Sequence, residues 1–360
     1  MLARRLRLMG PLLVLALVAT GCPADEGGDG GDGGGGNLLQ TITDRGQVRC
    51  GVNDEVPGFG FVDEAGNYSG FDIEFCRAVA AAVTGDAGNV EFRSLTSEQR
   101  FTALQGQQVD VLIRNTTWTA TRDGTEGAAF AATTFYDGQG MMVRADSPFQ
   151  SLEDMRGTNI CVLSGTTTEL NLETQFQARG IEYEPISLET NEAIQPAFIQ
   201  RRCEGWTSDR SQLAGIRSAW PETEGGPGAL RILDLTMSKE PLGPVVRDGD
   251  ARWYDAVNWT VIATILAEEH GITQANVDQM RQSQDPDVQR LLGTFRTEEG
   301  STFNPGLGLP DDFAYQVIKQ VGNYGEIYER TVGPNTPLGL ERGPNDLWTR
   351  GGLLYGPPYR

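Results

Sequence analysis

The sequence predicts an α/β fold divided into two lobes. Its 360 residues exceed the roughly 250 to 300 residues at which a single hydrophobic core stops growing. Short β-like runs alternate with amphipathic helical stretches, as expected of parallel sheets with helices on both faces. The alternation begins near Leu38 and its pattern recurs from about Ser151, which indicates two units of similar construction.

The elements of the two units are placed by hydrophobic periodicity and turn residues. In the first unit the predicted strands are 48–52, 90–93 and 109–113, and the predicted helices are 70–83 and 97–105. In the second unit the predicted strands are 159–163 and 183–186, and the predicted helices are 152–155, 168–179 and 192–201. The two units therefore share one alternation of strands and helices.

Two extended segments are predicted to connect the units. The apolar segment 141–144 is the first crossing strand, and segment 241–247 is its return. Two crossings form a hinge, so the units can move as lobes. Helix 253–268 follows the return and is predicted to pack on the first lobe through one apolar face, formed by Trp259, Ile262 and Leu266.

The C-terminal part is predicted to be rich in loops. A Gly- and Pro-rich loop at 304–310 and a helix at 311–321 lead into a long tail. The aromatic residues of the tail are expected to pack against the body rather than to form a binding surface: Trp348, Tyr355 and Tyr359.

The first residues are typical of a secretion segment. Three arginines at positions 4, 5 and 7 precede an apolar run over 9–20, which is shorter than the roughly 20 residues that a bilayer-spanning helix needs. The run ends in Ala19-Thr20-Gly21-Cys22, which resembles the lipobox of bacterial lipoproteins, although Ala19 replaces the usual Leu. The resemblance implies cleavage before Cys22 and its acylation. The alternative is an ordinary signal peptide with an incidental cysteine.

A flexible tether is predicted after Cys22. Residues 26–36 are almost entirely Gly and Asp, and this composition buries too little apolar surface to offset the conformational entropy of folding. Such a tether lets a globular body stand off from a membrane and swing toward a partner within it. We therefore expect an extracytoplasmic protein that is attached to the membrane by its lipid alone.

Acidic residues outnumber basic ones. The formal net charge is −20, and without the three arginines of the secretion segment 26 basic and 49 acidic residues remain, for a net charge of −23. Binding to a phosphate backbone requires a basic face, so nucleic acid is not an expected partner. The acidity is interpreted as a source of solubility and of repulsion between molecules.

Four cysteines follow Cys22 in a chain predicted to reach an oxidising compartment: Cys50, Cys76, Cys161 and Cys203. An even count indicates two disulfides, for which three connectivities are possible. We predict Cys50 with Cys76 and Cys161 with Cys203, because both members of each pair lie in one predicted unit. A bridge between the units would lock the hinge.

Residues for catalysis or metal binding are scarce. The chain has no CxxC spacing and a single histidine, His270, near a predicted helix end, so a zinc or redox site is not expected. No nucleophile elbow and no pair of carboxylates stand out. The sequence predicts no enzyme activity, no cofactor and no metal.

Several motifs occur in the order found in one protein family. Segment 70–80 has the sequence GFDIEFCRAVA, and VDVLI at 109–113 is followed by TWTATR at 117–122. Gly165-Thr166-Thr167 and Asp209 come later in the chain. Together these motifs resemble those of the bacterial extracellular solute-binding proteins for polar amino acids.

The resemblance extends over about residues 47–332, and segments 161–172 and 239–246 are closer still to the general L-amino-acid-binding proteins. It implies the type II periplasmic-binding-protein fold, with two lobes joined by a two-strand hinge. In shorter members the segments that flank about 271–310 lie close together, so this region is expected to be an insertion. The predicted organisation is a signal peptide at 1–21, a tether at 22–37, a first lobe at 38–143 and 244–335, a second lobe at 144–243 and a tail at 336–360.

A free amino acid is a zwitterion, so its pocket needs a cation for the carboxylate and an anion for the ammonium group. The family's arginine and second-lobe acid fall at Arg122 and Asp209 of this sequence. A guanidinium group can hold a carboxylate through two parallel hydrogen bonds. Since the two charges come from opposite lobes, the ligand makes its full set of contacts only when the lobes close.

Further contacts with the ligand's charged groups are expected from both lobes. Asn115 and Thr117 assist from the first lobe by side chain or backbone. In the second lobe Gly165 permits close approach, Thr167 adds a donor, and the helix that begins near Thr168 directs its N-terminus at the carboxylate.

The ligand's side chain is expected to contact residues near the end of the first strand. Asn53 and Phe59 are predicted to line this pocket, and Arg114 can reach it from a neighbouring strand. An arginine at this place argues against a dedicated Lys or Arg binder. It favours a polar or acidic ligand, or a broad range.

The resemblance implies a monomeric binding protein that delivers a free L-amino acid to the permease and ATPase subunits of an ABC importer. One alternative is a protein with the same binding chemistry that reports its ligand to a membrane receptor. The other is an enzyme on the same frame, such as a dehydratase, since a fold does not fix a function.

Overall fold

The computed structural model describes residues 37–360, so the predicted secretion segment, Cys22 and the tether up to residue 36 lie outside the described residues. The strands are β1 (Val48–Val52), β2 (Glu55–Val56), β3 (Gly60–Val62), β4 (Tyr68–Ser69), β5 (Val90–Ser94), β6 (Val111–Leu112), β7 (Ala128–Phe130), β8 (Phe135–Asp137), β9 (Gln139–Arg144), β10 (Asn159–Leu163), β11 (Glu184–Leu188), β12 (Gly205–Asp209), β13 (Leu230–Ile232), β14 (Glu240–Leu242) and β15 (Val245–Arg247). The helices are α1 (Leu38–Arg45), α2 (Phe71–Thr84), α3 (Gln99–Gln105), α4 (Ala120–Thr125), α5 (Thr167–Ala178), α6 (Asn191–Ile199), α7 (Arg210–Ser218), α8 (Ala251–Glu269), α9 (Val277–Met280), α10 (Pro286–Leu291), α11 (Phe313–Gln320) and α12 (Tyr324–Thr331).

Each lobe is built on a five-stranded sheet of the same mixed topology. The strand order is β5-β1-β6-β15-β7 in the first lobe and β11-β10-β12-β9-β13 in the second. In each sheet the first three strands are parallel, and the fourth runs antiparallel to both of its neighbours. This arrangement confirms the predicted α/β class with two sheet-containing lobes.

Of the two strands that connect the lobes, β8 lies outside the predicted crossing segment 141–144, whereas β14 overlaps the predicted return at 241–247. β8 and β14 pair antiparallel, with Glu240 opposite Asp137, and they link the two sheets along the chain. The predicted crossing segment 141–144 is instead part of β9 in the second sheet, where its apolar residues are fully buried, so the chain enters this sheet before the predicted boundary at 144. An apolar extended run has the same pattern in a crossing and in a sheet, which is why periodicity did not separate them.

Both predicted disulfides are present. Cys50 on β1 is bonded to Cys76 on α2, and their Cα atoms are 6.1 Å apart. Cys161 on β10 is bonded to Cys203, which precedes β12, with a Cα separation of 5.7 Å. Each bridge joins elements of one lobe, so neither restrains the connection between the lobes.

The long helix α8 packs on the first lobe, as predicted. It contacts α2, α11 and α12; Ile262 and Leu266 are buried, and Trp259 is half-buried against the same core. The region predicted to be an insertion also joins this core through buried apolar residues, namely Ile272, Val277, Val288, Leu291 and Leu292.

Within residues 37–360, no helix is both long and apolar enough to cross a membrane.

The tail packs on the first lobe and reaches the hinge. Tyr359 is buried, but Trp348 and Tyr355 are 52% and 64% exposed, so the expectation that the tail's aromatic residues pack inward is wrong for these two. At the hinge, Asn345 Oδ1 accepts a hydrogen bond from Tyr136 N (2.6 Å) and its Nδ2 donates to Tyr136 O (3.1 Å). The Asn345 side chain thus stabilises β8, because it hydrogen-bonds both backbone groups of Tyr136 as a residue of a neighbouring strand would.

Candidate ligand-binding cleft

Arg122 lies on the short helix α4 and faces the cleft between the lobes. Thr119 caps this helix, because its side chain accepts a hydrogen bond from Arg122 N (3.2 Å). Arg122 Nη1 donates to Thr117 O (2.9 Å), and the guanidinium group lies 5.6 Å from the centre of the Phe101 ring. The side chain is buried, which lowers its pKa. These contacts fix the guanidinium group in one orientation.

Two further arginines face the same cavity. Arg100 on α3 donates from Nη2 to Gly165 O of the second lobe (3.3 Å), and Arg114 after β6 donates from Nε to Leu95 O (2.6 Å). Burial lowers the pKa of Arg100 well below its usual range and that of Arg114 to about 10. Across residues 37–360, none of the ion pairs includes Arg100, Arg114 or Arg122. The cleft therefore presents three buried positive charges that have no direct protein counter-ion in this part of the chain.

Asp72, a residue of the motif at 70–80, positions Asn115 through a hydrogen bond to its backbone. The Asn115 φ of 42° lies in the left-handed region, which Asn tolerates better than most residues, and the Asn115 backbone N donates to Asp72 Oδ2 (2.8 Å). Asp72 lies in the first turn of α2, which has no side-chain cap. The Asn115 amide is buried and has no hydrogen-bond partner among the described residues. Asp72 thus positions a loop that lines the cleft, and burial raises the pKa of Asp72 to about 6.

The second lobe contributes the N-terminus of α5. Gly165, with a φ of 67°, makes the turn that precedes the helix, and Thr166 caps it by accepting a hydrogen bond from Glu169 N (3.1 Å). Thr167 Oγ1 donates to Glu240 Oε2 (2.8 Å) and lies 3.3 Å from Thr117 Oγ1 of the first lobe. The hydroxyl group of Thr167 therefore lies where both lobes and the hinge meet.

Asp209 ends β12 and faces the three arginines. It is buried, and its Oδ1 has no hydrogen-bond partner within the described chain. Burial raises the pKa of Asp209 well above its usual range, the nearby Asp137 and Glu240 raise it further, and Arg122 and Arg100 oppose the shift. An ammonium group placed beside Asp209 would favour its ionised form.

The lobes are in a closed arrangement. Asn191 N at the start of α6 donates to Glu55 Oε2 of the first lobe (2.8 Å). A Cβ at Gly215 of the second lobe would collide with Pro57 O of the first, so the two surfaces meet too closely for any side chain there. Residues from both lobes consequently enclose the cavity.

Most of the residues predicted for the site line this one inner cavity: Asn53, Arg114, Asn115, Thr117, Arg122, Thr167, Thr168 and Asp209. Phe59 does not, because it is fully buried in the first-lobe core with its ring 5.1 Å from that of Phe135. Gly165 lies beside the cavity rather than in its lining and contributes its carbonyl oxygen to Arg100.

Sequence reasoning missed Ser97, Arg100, Ser208 and Gln212, which also line the inner cavity. Arg100 carried no signal, because a charged residue on an amphipathic helix is usually solvated. Ser208 directly precedes Asp209 in the sequence, and residues next to a predicted anion are reasonable candidates.

Comparison with known proteins places the chain in a family. The family model of the bacterial extracellular solute-binding proteins, family 3, matches residues 48–270. The chain is 47% identical to the general L-amino acid-binding periplasmic protein AapJ of Rhizobium johnstonii over 322 residues, which are 89% of this chain and 92% of that protein. It is 44% identical to the glutamate/glutamine/aspartate/asparagine-binding protein BztA of Rhodobacter capsulatus over 325 residues, which are 90% of this chain and 94% of that protein.

Solved structures agree with this placement. An ABC transporter periplasmic binding protein from Brucella ovis with glutathione bound superposes with a TM-score of 0.85 at 45% identity, covering 90% of this chain and all of that one (100%). The fold of the whole described body, and not only of the part matched by the family model, is therefore shared with a ligand-bound protein. The chain belongs to the bacterial extracellular solute-binding proteins of family 3.

Proposed function

We propose that this protein is the extracytoplasmic substrate-binding component of an amino-acid ABC importer, and that it binds one free L-amino acid between its closing lobes. The observation that carries the proposal is the pair formed across the cleft by Arg122 and Asp209. Each is buried, and neither forms an ion pair with a described residue. A zwitterion supplies both missing charges at once.

The geometry supports one contact for each of the ligand's two charged groups. The carboxylate takes the planar guanidinium fork of Arg122, with Arg100 as a second cation. The ammonium group takes the free carboxylate of Asp209, and the unpartnered Asn115 amide supplies a further acceptor. Since Arg122 and Asp209 come from opposite lobes, the bound ligand stabilises the closed state.

Delivery to an importer is proposed from the similar Brucella structure, which is named as that of an ABC transporter periplasmic binding protein, and the ligand range is proposed from two relatives. The relative from Rhizobium is named as a general L-amino acid-binding protein, and the relative from Rhodobacter as a binder of acidic amino acids and their amides. We propose the same broad range here, with the monomer docking on the permease of the transporter. A receptor-reporting role would use the same cleft and differ only in the partner, and membership of this family argues against an enzyme.

A thermal-shift screen against the free L-amino acids tests the binding function. A ligand present at 100 times its Kd stabilises the folded protein by about 2.7 kcal/mol, so several amino acids should raise Tm by several degrees. Glutathione belongs in the panel because it is bound in the similar Brucella structure. Arg122→Ala is the matched control and should lose the shifts. If no free amino acid raises Tm of the wild-type protein, the proposed function is wrong.

We propose membrane attachment through a lipid on Cys22. In a bacterial host, Cys22→Ser should move the protein from the membrane fraction to the soluble fraction while leaving ligand affinity unchanged, because every residue that lines the inner cavity lies at position 53 or later. Each buried acyl CH₂ contributes about 0.8 kcal/mol to membrane attachment, so two or more chains hold a protein stably. Fractionation followed by titration of the released protein checks both points. A Cys22→Ser protein that still sediments with membranes would exclude lipidation at this residue.

A further inference from the structure

An outer cavity adjoins the inner cavity of the cleft. The two share three lining residues, Asn53, Arg114 and Leu163, and their volumes are about 150 Å³ and 20 Å³. The inner cavity is the smaller of the two and leaves no room for a side chain beyond the ligand's charged groups. A ligand whose carboxylate and ammonium groups lie in the inner cavity must therefore extend its side chain into the outer one.

Arg114 lies between the two cavities and lines both. Its side chain is more than nine-tenths buried. Its Nε donates a hydrogen bond to Leu95 O. Its terminal nitrogens have no acceptor in the part of the chain that the structure describes. A buried guanidinium group with free donors is a binding site for an anionic or carbonyl oxygen.

The outer cavity also carries negative charge. Asp54 and Glu55 line it from the first lobe and Glu189 from the second. The charges of Asp54 and Glu55 act on Arg114, yet neither forms an ion pair with it among the ion pairs of residues 37–360. Asn53 Oδ1 holds this segment by accepting hydrogen bonds from the backbone N of Asp54 and of Glu55. Opposite charges therefore face one space without neutralising each other directly.

We infer that the outer cavity binds the ligand's side chain and accepts charge of either sign, with Arg114 binding acidic side chains and the Asp54–Glu55 pair binding basic ones. The inference rests on the proposed function and explains how one cleft holds a broad range of amino acids. Neutral polar side chains use the remaining hydroxyl and amide groups of the lining, which are those of Ser94, Thr96, Gln99, Thr190 and Asn191.

Two variants distinguish the proposed contact with acidic ligand side chains from the proposed contact with basic ones. Arg114→Met keeps the volume of the side chain and removes the cation. Asp54→Asn combined with Glu55→Gln removes two anions and retains a side-chain oxygen at position 55 for the hydrogen bond from Asn191 N across the lobes. Isothermal titration with L-glutamate, L-arginine and L-glutamine gives three Kd values for each protein, and the neutral L-glutamine serves as the internal reference.

In Arg114→Met, the ratio of the Kd for glutamate to that for glutamine should rise about tenfold or more, while the ratio for arginine falls or stays constant. The double variant should show the reverse pattern. The inference is overturned if either variant changes all three Kd values by one common factor, or if the wild-type protein binds only one sign of charged side chain. Failure of the wild type to bind glutamine or any other free amino acid would instead refute the proposed function.

Discussion

Replacement of Arg122 by alanine is expected to weaken amino-acid binding by roughly 30-fold to several thousand-fold. Truncating one member of a buried charge pair typically costs 2 to 5 kcal/mol, and here the ligand's carboxylate would lose the guanidinium group that is fixed by Thr117 O and the Phe101 ring. Arg122→Lys should restore only part of the affinity, because an ammonium group keeps the charge but lacks the planar fork. Titration of the three proteins with one amino acid measures the effect.

The matched control for this result is Arg290→Ala. Arg290 forms an ion pair with Asp287 on α10, outside the cleft, so its loss removes one positive charge from the protein without touching the site. Its Kd should equal that of the wild type. Equal losses in Arg122→Ala and Arg290→Ala would mean that net charge, and not a contact at Arg122, governs binding.

Replacement of Asp209 by alanine should weaken binding over the same range of roughly 30-fold to several thousand-fold. The ammonium group of the ligand would then lie beside Arg122 and Arg100 without a compensating anion on the second lobe. Asp234→Ala is the control, since Asp234 is an exposed acid of the same lobe. An Asp209→Ala protein with wild-type affinity would exclude this carboxylate from the site.

The same carboxylate should destabilise the protein when no ligand is bound. The pKa of Asp209 is higher in the folded protein than its ordinary value. The stability that its protonated form contributes is therefore fully present below the ordinary pKa and is lost as pH rises through the folded-state pKa. Asp209→Asn should accordingly raise Tm of the ligand-free protein at neutral pH while it weakens binding. A lower Tm would show that the ionised carboxylate supports the fold.

Motif order was sufficient to select Arg122 and Asp209, which the structure brings to one cavity, whereas the other residues of the cavity could be identified only from the packed structure. Arg122 and Asp209 follow strand ends in both lobes, where parallel strands direct loops to one edge of a sheet. Arg100 could not be selected in this way, because its contact with Gly165 O depends on how the two lobes pack together. Phe59 was misplaced because the chain after Asn53 folds into the small β2-β3-β4 sheet, which directs its ring into the core.

In the hinge and the C-terminal region, too, local sequence patterns could predict some elements and not others. The run at 141–144 has the pattern of any buried strand, so the sequence could not distinguish β9 from a crossing. Helix α12 was missed although its signal was present, since Asn323 and Glu326 form a capping box at its start. The role of Asn345 in bracing β8 depends on a contact between residues more than two hundred positions apart, which no local pattern contains.

The most direct test of a zwitterion held between Arg122 and Asp209 is a titration cycle with modified ligands. Wild type, Arg122→Ala and Asp209→Ala are each titrated with an amino acid that binds, with its methyl ester and with its N-acetyl derivative. Esterification should weaken binding strongly in the wild type but much less in Arg122→Ala, and acetylation should show the same asymmetry in Asp209→Ala. If both modifications cost the two variants as much as they cost the wild type, the two residues do not bind the ends of the ligand.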